Sequence, residues 1–285
     1  MKRILVTGAD GQLGCELKAL SKGNYENLAF IFTDKQQLDI TDLEKIESFI
    51  ELEKIEYVIN CAAYTAVDAA EENHEAALLI NATAVDNLAI ACRRFNAKLI
   101  HISTDYVFDG KSYRPYLESD LVSPNSVYGT TKLLGEQAAL SDNTKAIVIR
   151  TSWLYSQYGA NFVKTMLKLG RERENLSVVY DQIGSPTYAA DLALTIIKII
   201  ESEFHPGIYH YSNEGVCSWY DFTKAIHRLA GIEGCNVSPI ESKEYPTRAE
   251  RPHYSVLNKR KIKEKFNITI PHWEDSLGRC IEKLK

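Results

Sequence analysis

The chain opens on an apolar run, Ile4-Leu5-Val6, that breaks at a glycine and passes into a segment of helical period from about Gln12 to Ser21. The same alternation recurs through the first half. Leu28 to Phe32 is apolar, and Leu43 to Ile50 is helical, opened by Thr41-Asp42-Leu43-Glu44 in the form of a capping box. Tyr57 to Asn60 and Lys98 to Ile102 read as strands on either side of a long helix, Glu75 to Phe95, with Leu78, Val85, Leu88 and Ala89 near one face. Leu133 to Ala139 lies in a helix, and Ala146 to Ile149 is a further strand. None of these strands alternates apolar with polar residues, so both faces of their sheet must be covered. Strand followed by helix in this way predicts an α/β chain with a doubly wound parallel sheet.

The second half is less regular. Asn161 to Leu169 is helical and closed by Gly170. Leu176 to Tyr180 and Ile208 to Tyr211 read as strands, and Asp191 to Ser202 as an apolar-faced helix. Ser218-Trp219-Tyr220-Asp221 caps a helix reaching about Ala230, and a last helix spans Trp273 to Leu284. With no repeat or Pro/Gly-rich linker between the halves, the second domain is expected to be smaller and interleaved with the first. The expected division is 1–150, with parts of 175–205 and 235–255, against the remaining segments of 151–285.

Composition narrows the function classes. Of 285 residues, 45% are hydrophobic and 25% charged, the balance of an ordinary globular chain. Thirty-three Lys and Arg against 38 Asp and Glu leave a net charge of −5, without the basic excess that nucleic-acid binding calls for. No apolar run reaches the roughly 18 residues that span a bilayer, so no membrane partner is expected. The six cysteines are scattered and show no C-x-x-C pattern, which reads as free thiols in a reducing compartment, the cytoplasm. No H-E-x-x-H occurs either, and no metal site is expected.

The chemistry begins with the first turn. Ile4 to Gly14 forms strand, glycine turn and helix start, with Gly8, Gly11 and Gly14 in the spacing G-x-x-G-x-x-G. Gly8 permits the tight turn, Gly11 admits a pyrophosphate close to backbone N–H groups, and Gly14 lets the helix pack on the strand, as in a Rossmann-type dinucleotide site. The helix N-terminus, from Gln12 and Leu13, then faces the phosphates with its partial positive charge. Asp34, twenty positions after Gly14, is placed to bind an adenosine ribose hydroxyl and would repel a 2′-phosphate, whereas the adjacent Lys35 would offset that repulsion. The cofactor is therefore NADPH or NADH. Asp39-Ile40 can lie beside the adenine, and the small residues of Cys61-Ala62-Ala63-Tyr64 let a ligand approach the backbone at a strand's carboxyl end.

Tyr128 and Lys132 stand i and i+4 on a helix expected to begin after Ser123-Pro124, so they share a face. A free tyrosine titrates near ~10, and an adjacent ammonium is expected to lower that value, making the pair one acid–base device. Lys132 can also reach the nicotinamide ribose. Ser103-Thr104 closes another strand at the same sheet edge, where either hydroxyl can polarise a substrate carbonyl.

These three segments together resemble the extended short-chain dehydrogenase/reductases. Leu38-Asp39-Ile40-Thr41-Asp42, Ala62-Ala63-Tyr64-Thr65-Ala66-Val67-Asp68 and Arg150-Thr151-Ser152-Trp153-Leu154-Tyr155 narrow the match. With Asp181-Gln182-x-Gly184-Ser185-Pro186-Thr187 and Arg251-Pro252-x-x-Ser255-x-Leu257, the chain resembles the dTDP-4-dehydrorhamnose reductase family over almost its whole length.

The resemblance implies reduction of the 4-keto group of dTDP-6-deoxy-L-lyxo-4-hexulose to dTDP-L-rhamnose, for bacterial surface polysaccharide. It makes Tyr128 the proton donor, Lys132 its partner and Thr104 the carbonyl ligand. Gly11-Gln12-Leu13, Asp39-Ile40 and Ala62-Ala63-Tyr64 would line the cofactor. Thr65, Val67, Thr104, Asp105 and Trp153 would line the sugar nucleotide, with Asn161, Arg251 and Ser255 as further candidates. Gln182 and Pro186 would shape a loop. Some members dimerise around a magnesium ion held by glutamates. Three such glutamates cannot be placed here, so a homodimer is allowed but no metal is expected. Two alternatives carry the same fold: a nucleotide-sugar epimerase or dehydratase, and a non-catalytic regulatory subunit.

Overall fold

The computed structural model describes residues 1–23, 25–143 and 145–285. The first half runs β1 (Lys2–Thr7), α1 (Gln12–Leu20), β2 (Leu28–Thr33), α2 (Leu43–Leu52), β3 (Tyr57–Asn60), α3 (Val67–Ala70) and α4 (His74–Leu78). A π-helical turn (Leu79–Thr83) joins α4 to α5 (Ala84–Arg94), and β4 (Lys98–Thr104) ends in a 3₁₀ turn (Asp105–Val107) before α6 (Val127–Asp142) and β5 (Ala146–Thr151). There follow β6 (Leu154–Tyr155), α7 (Phe162–Glu172), β7 (Asn175–Val179), β8 (Ile183–Gly184), β9 (Thr187–Tyr188) and α8 (Ala189–Glu201). The chain closes with β10 (Gly207–His210), β11 (Cys217–Ser218), α9 (Trp219–Ala230), β12 (Asn236–Ile240), α10 (Arg260–Phe266) and α11 (Trp273–Glu282).

The expected doubly wound sheet forms from six parallel strands in the order β10-β5-β4-β3-β1-β2. Successive strand residues point to opposite faces, which explains the unbroken apolar runs. Ile4, Val6, Tyr57, Ile59, Ile147 and Ile149 pack on one face with Leu13 and Leu17 of α1, Leu192 and Ile196 of α8, and Ile262 and Phe266 of α10. Leu5, Val58, Leu99 and Val148 pack on the other with Ile46 and Ile50 of α2, Val85 and Leu88 of α5, and Ala139 of α6. Strand order reverses between β1 and β3, and the carboxyl ends of these strands open the crevice where such sheets take ligands.

A second core gathers α7, α9 and α11 around Val163, Leu167, Phe222, Ile226, Leu277 and Ile281. There β7 pairs with β12, in a ladder separate from the large sheet. The 175–205 segment is thus divided, since α8 packs on the sheet core and β7 on the second core.

Several local expectations need correcting. The N-cap of α2 is Asp42, which accepts from the Lys45 N–H, while Thr41 donates its hydroxyl to Asp39. The helix carrying Tyr128 starts at Val127 behind the cap Ser126, later than Pro124 suggested. Gly170 does not stop α7, which runs on to Glu172. A Cβ at Gly170 would sit 2.4 Å from Nε2 of His227, so this glycine serves helix packing. The long helix is continuous from His74 to Arg94 but passes through the π turn. Over an 18-residue window its mean hydropathy reaches 1.3, so by length and composition it matches a bilayer span; here Ala77, Ala84, Val85 and Leu88 are buried within the fold.

Because Ile196 is fully buried between α8 and the sheet, Ile196→Ala is expected to cost ~2–5 kcal/mol of stability. Urea unfolding monitored by circular dichroism measures this, and an unchanged midpoint would contradict the packing described.

Candidate active site

The crevice is built from backbone. Gly8 has φ +65°, and a Cβ there would lie 2.6 Å from the Ala62 nitrogen, so β1 and the segment after β3 approach as only glycine allows. A Cβ on Gly14 would meet the Gly8 carbonyl oxygen at 2.5 Å. The Gly11 N–H closes the turn onto the Gly8 carbonyl, and Cys15 N–H is the first to bond back along α1, to Gly11. Among the described residues no side chain caps α1. The N–H groups of Gln12, Leu13 and Gly14 therefore head the helix without an i−4 partner, the donor set a pyrophosphate takes. The residues present fit a dinucleotide.

Asp34 follows β2 and spends Oδ1 on the N–H groups of Gln36 and Gln37, while Lys35 is exposed beside it. Asp39 accepts from the N–H and hydroxyl of Thr41, which holds its carboxyl below the usual range, and Ile40 is buried. Asn60 Oδ1 receives the Ala62 N–H at 3.1 Å. Asn81, in the π turn, receives the Tyr64 N–H at 2.8 Å and donates to the Tyr64 carbonyl and to Thr131 Oγ1. Ala62, Ala63 and Tyr64 are thus clamped by two asparagines, with Thr65 and Val67 next along the wall.

The helix bearing Tyr128 is pressed into this wall. A Cβ at Gly135 would fall 2.0 Å from the Asn81 carbonyl oxygen, so α6 touches the π turn. At its near end the Tyr128 ring meets Tyr106 edge-on, centroids 5.5 Å apart. Burial pushes the Tyr128 phenol up to about 12, with a Thr104 hydrogen bond opposing and Asp105 adding to the rise. The sequence-based expectation of a depressed phenol is therefore reversed. Lys132, one turn on, is buried, and Nζ donates to the Ile102 carbonyl at 2.7 Å. Desolvation lowers its amine to about 8 against the opposing pull of Glu136.

Thr104 closes β4 and donates to Asp105 Oδ1 at 3.0 Å. Asp105 is buried, and among the described residues its Oδ2 has no hydrogen-bond partner. Desolvation raises its carboxyl to about 7, against the opposing hydrogen bond from Thr104. Thr104, Asp105, Tyr128 and Lys132 thus meet at the carboxyl end of β4, where a phenolic O–H and a threonine hydroxyl can face one carbonyl oxygen.

Across the crevice Trp153, with φ +49°, stacks on Trp219 at 3.5 Å between centroids. Arg251 is paired with Asp68 of α3 and donates to the Ala249 carbonyl. Asn161, a candidate substrate ligand, caps α7 through Oδ1, while Nδ2 donates to Gln12 Oε1 and to the carbonyls of Ser156 and Tyr158. Gln182 donates to Ser242, as expected of a loop-shaping residue. Sequence reasoning missed Asn60, Asn81, His101 and Trp219; polar residues inside apolar segments were the available signal for the first three.

The profile of the family described as RmlD substrate binding domain matches residues 1–285. A dTDP-4-dehydrorhamnose reductase of Aggregatibacter actinomycetemcomitans is 43% identical over 289 aligned positions, covering 97% of each chain. A spore coat polysaccharide biosynthesis protein, SpsK, of Bacillus subtilis (strain 168) is 42% identical across 99% of this chain and 98% of its own. A crystal structure of dTDP-4-dehydrorhamnose reductase from Bacillus anthracis str. Ames in complex with NADP superposes with a TM-score of 0.95 at 42% identity, over 99% and 100% of the two chains.

The Asp105 carboxyl makes stability pH-dependent. Its value rises from 3.8 to about 7 on burial, so between about pH 4 and 7 the unfolded chain releases a proton that the folded chain keeps. Stability falls as pH rises through that window. Asp105→Asn carries no such proton, and its urea midpoint is expected to gain on the wild type from pH 4 to 7 and to level off above. Parallel curves would remove the buried acid from the description.

Proposed function

The chain belongs to the family of the dTDP-4-dehydrorhamnose reductases, and from that premise we propose that it reduces the 4-keto group of dTDP-4-dehydro-L-rhamnose to give dTDP-L-rhamnose, in dTDP-rhamnose and polysaccharide biosynthesis. The observation that carries this reading is the convergence of Thr104, Tyr128 and buried Lys132 at one end of β4, beside the glycine cradle. A reduced nicotinamide, NADPH or NADH, supplies the hydride that adds to the sugar C4.

Gly8, Gly11, Gln12, Leu13 and Gly14 hold the pyrophosphate of that cofactor; Asp34, Lys35, Asp39 and Ile40 border its adenosine, and Ala62, Ala63 and Tyr64 its inner wall. Thr104 and Tyr128 hydrogen-bond the ketone oxygen. Tyr128 then gives its phenolic proton to the alkoxide forming there, a general-acid step. Lys132 is anchored from below and reaches the nicotinamide ribose. Thr65, Val67, Asp105 and Trp153 surround the sugar nucleotide, and Arg251 offers its guanidinium to the diphosphate. The dinucleotide lobe takes in 1–150 together with α8 and β10, the sugar-nucleotide lobe most of the rest, and the enzyme works in the cytoplasm.

Incubation with the 4-keto-sugar nucleotide and NADPH or NADH in turn should oxidise one nicotinamide per sugar and release dTDP-L-rhamnose, identified by mass spectrometry and NMR. Turnover of the sugar without net cofactor oxidation would instead make the chain an epimerase or dehydratase. Tyr128→Phe is expected to lose about 10²–10⁴-fold in kcat with cofactor affinity largely kept, read by steady-state kinetics and fluorescence titration. Near-normal turnover would take Tyr128 out of the mechanism.

A further inference from the structure

The backbone at Trp153 is held in a conformation that a bulky residue rarely adopts. Its φ of +49° lies in the left-handed region, where Cβ crowds the following carbonyl oxygen. Such a residue persists only where its surroundings over-determine it, and strain of this kind gathers at functional sites. Here the chain is pinned on both sides. Thr151 Oγ1 donates to Thr187 Oγ1 at 3.1 Å, Ser152 Oγ to the Ser185 carbonyl at 2.8 Å, and the Thr187 N–H to the Trp153 carbonyl at 3.1 Å. β6 then runs beside β9. These bonds fix the backbone; the indole needs a hold of its own.

That hold comes from two short strands that meet beside it. β8 pairs antiparallel with β11, Gly184 opposite Cys217 and Ile183 opposite Ser218. Ser218 is also the N-cap of α9, closed by a capping box with Asp221, so Trp219 leads the helix in a direction the cap sets. The pairing brings Gly184 and Trp219 to the same indole. A Cβ at Gly184 would lie 2.6 Å from Trp153 Cε2 and 2.7 Å from Cζ2, so the benzo edge rests on bare backbone. Trp219 covers a face, its ring 3.5 Å away between centroids and inclined by 10°.

Aromatic pairs left to themselves prefer an offset or an edge contact, with centroids about 4.5–7 Å apart. A face-to-face pair at 3.5 Å is therefore imposed by the frame around it. Trp219 is itself backed by Phe162 of α7 at 4.5 Å, with buried Phe222 beyond at 6.4 Å. Yet both indoles are only half-buried. The second core closes around Phe222, Leu277 and Ile281, and the stack stands at its margin, toward the crevice.

We propose that Trp219 is a positioning residue: stacked on one face of the Trp153 indole, with Gly184 at the ring's edge, it holds that ring so that the opposite face receives the apolar side of the deoxysugar. A ring already fixed in its bound rotamer loses no freedom when substrate arrives, and the gain appears in affinity, not in the chemical step. The inference rests on the reductase reading for the identity of the ligand. The immobilisation of Trp153 is measured without any ligand, so the two can fail separately.

The test begins with the protein alone, labelled with ¹⁵N-tryptophan. Its three indole N–H signals come from Trp153, Trp219 and Trp273, and Trp153→Phe and Trp219→Leu assign the first two by their loss. Heteronuclear Overhauser measurements should show the Trp153 ring as rigid as the backbone in the wild type and mobile on the ps–ns timescale in Trp219→Leu. Trp219→Phe keeps an aromatic face and should restore the rigidity. In steady-state kinetics Trp219→Leu should raise KM for the 4-keto-sugar nucleotide about two- to tenfold, the cost of ordering a side chain on binding. kcat and the nicotinamide KM should stay as they are, and Trp219→Phe should bring the sugar KM back. Gly184→Ala drives a Cβ into the edge of the same ring while leaving Trp219 in place, and should raise the same KM. A Trp153 ring as rigid in Trp219→Leu as in the wild type overturns the proposal. So does an unchanged sugar KM, or a fall in kcat as large as the rise in KM. If Trp219→Leu does not fold, the wild-type relaxation and Gly184→Ala decide. Should the protein turn over no 4-keto-sugar nucleotide, the reductase reading falls, and the relaxation data alone rule on the hold over Trp153.

Discussion

The seating of α6 against the carboxyl end of β4 is the constraint on which the site depends. Gly135 brings the helix onto the Asn81 carbonyl, and the three residues Tyr128, Lys132 and Glu136 then point inward at successive turns. Their polar ends reach Thr104, the Ile102 carbonyl, and the Ser103–Arg150 pair respectively. Any side chain at 135 would push the helix off the wall and move all three together. The buried Glu136–Arg150 pair fixes the far end of this row; breaking such a pair from one side commonly costs ~3–5 kcal/mol, because the remaining charge is left without a partner.

Burial also sets the electrostatics. Asp105 is raised to about 7 and Lys132 lowered to about 8, so the acid and the base nearest the reacting position are both pushed toward their neutral forms. Tyr128 moves in the same sense. In a dry site, dipoles and hydrogen bonds aimed at a forming alkoxide act with little screening. The surroundings suit a site that gives a proton away.

Much of this was legible in the chain. The unbroken strands β1, β3, β4 and β5 and the glycine spacing foretold a covered parallel sheet with a nucleotide crevice, because a two-faced burial leaves no room for polar alternation. That Tyr128 and Lys132 share one face of α6 was readable from helical spacing, and the pair stood out only beside the glycine turn and the Ser103-Thr104 strand end. The direction of the Tyr128 shift was not, since spacing conveys neighbours along a helix and says nothing of how deeply the surroundings exclude water. The π turn and the two-residue strands were hidden for a related reason: they are produced by tertiary fit, as at Asn81 against Gly135, and leave no periodic trace.

The position of β10 has a consequence for how the chain comes into being. This strand completes the large sheet beside β5, yet α7 and β7 of the second core, and α8, lie between the two in sequence. During synthesis β5 therefore emerges with one side unpaired and must wait on the ribosome while α7, β7 and α8 are made. A fragment ending near residue 150 would present that open edge to any other chain, the situation in which parallel strands find wrong partners. The sheet core and the second core are consequently a single unit of folding, and neither is expected to survive as a transplantable module.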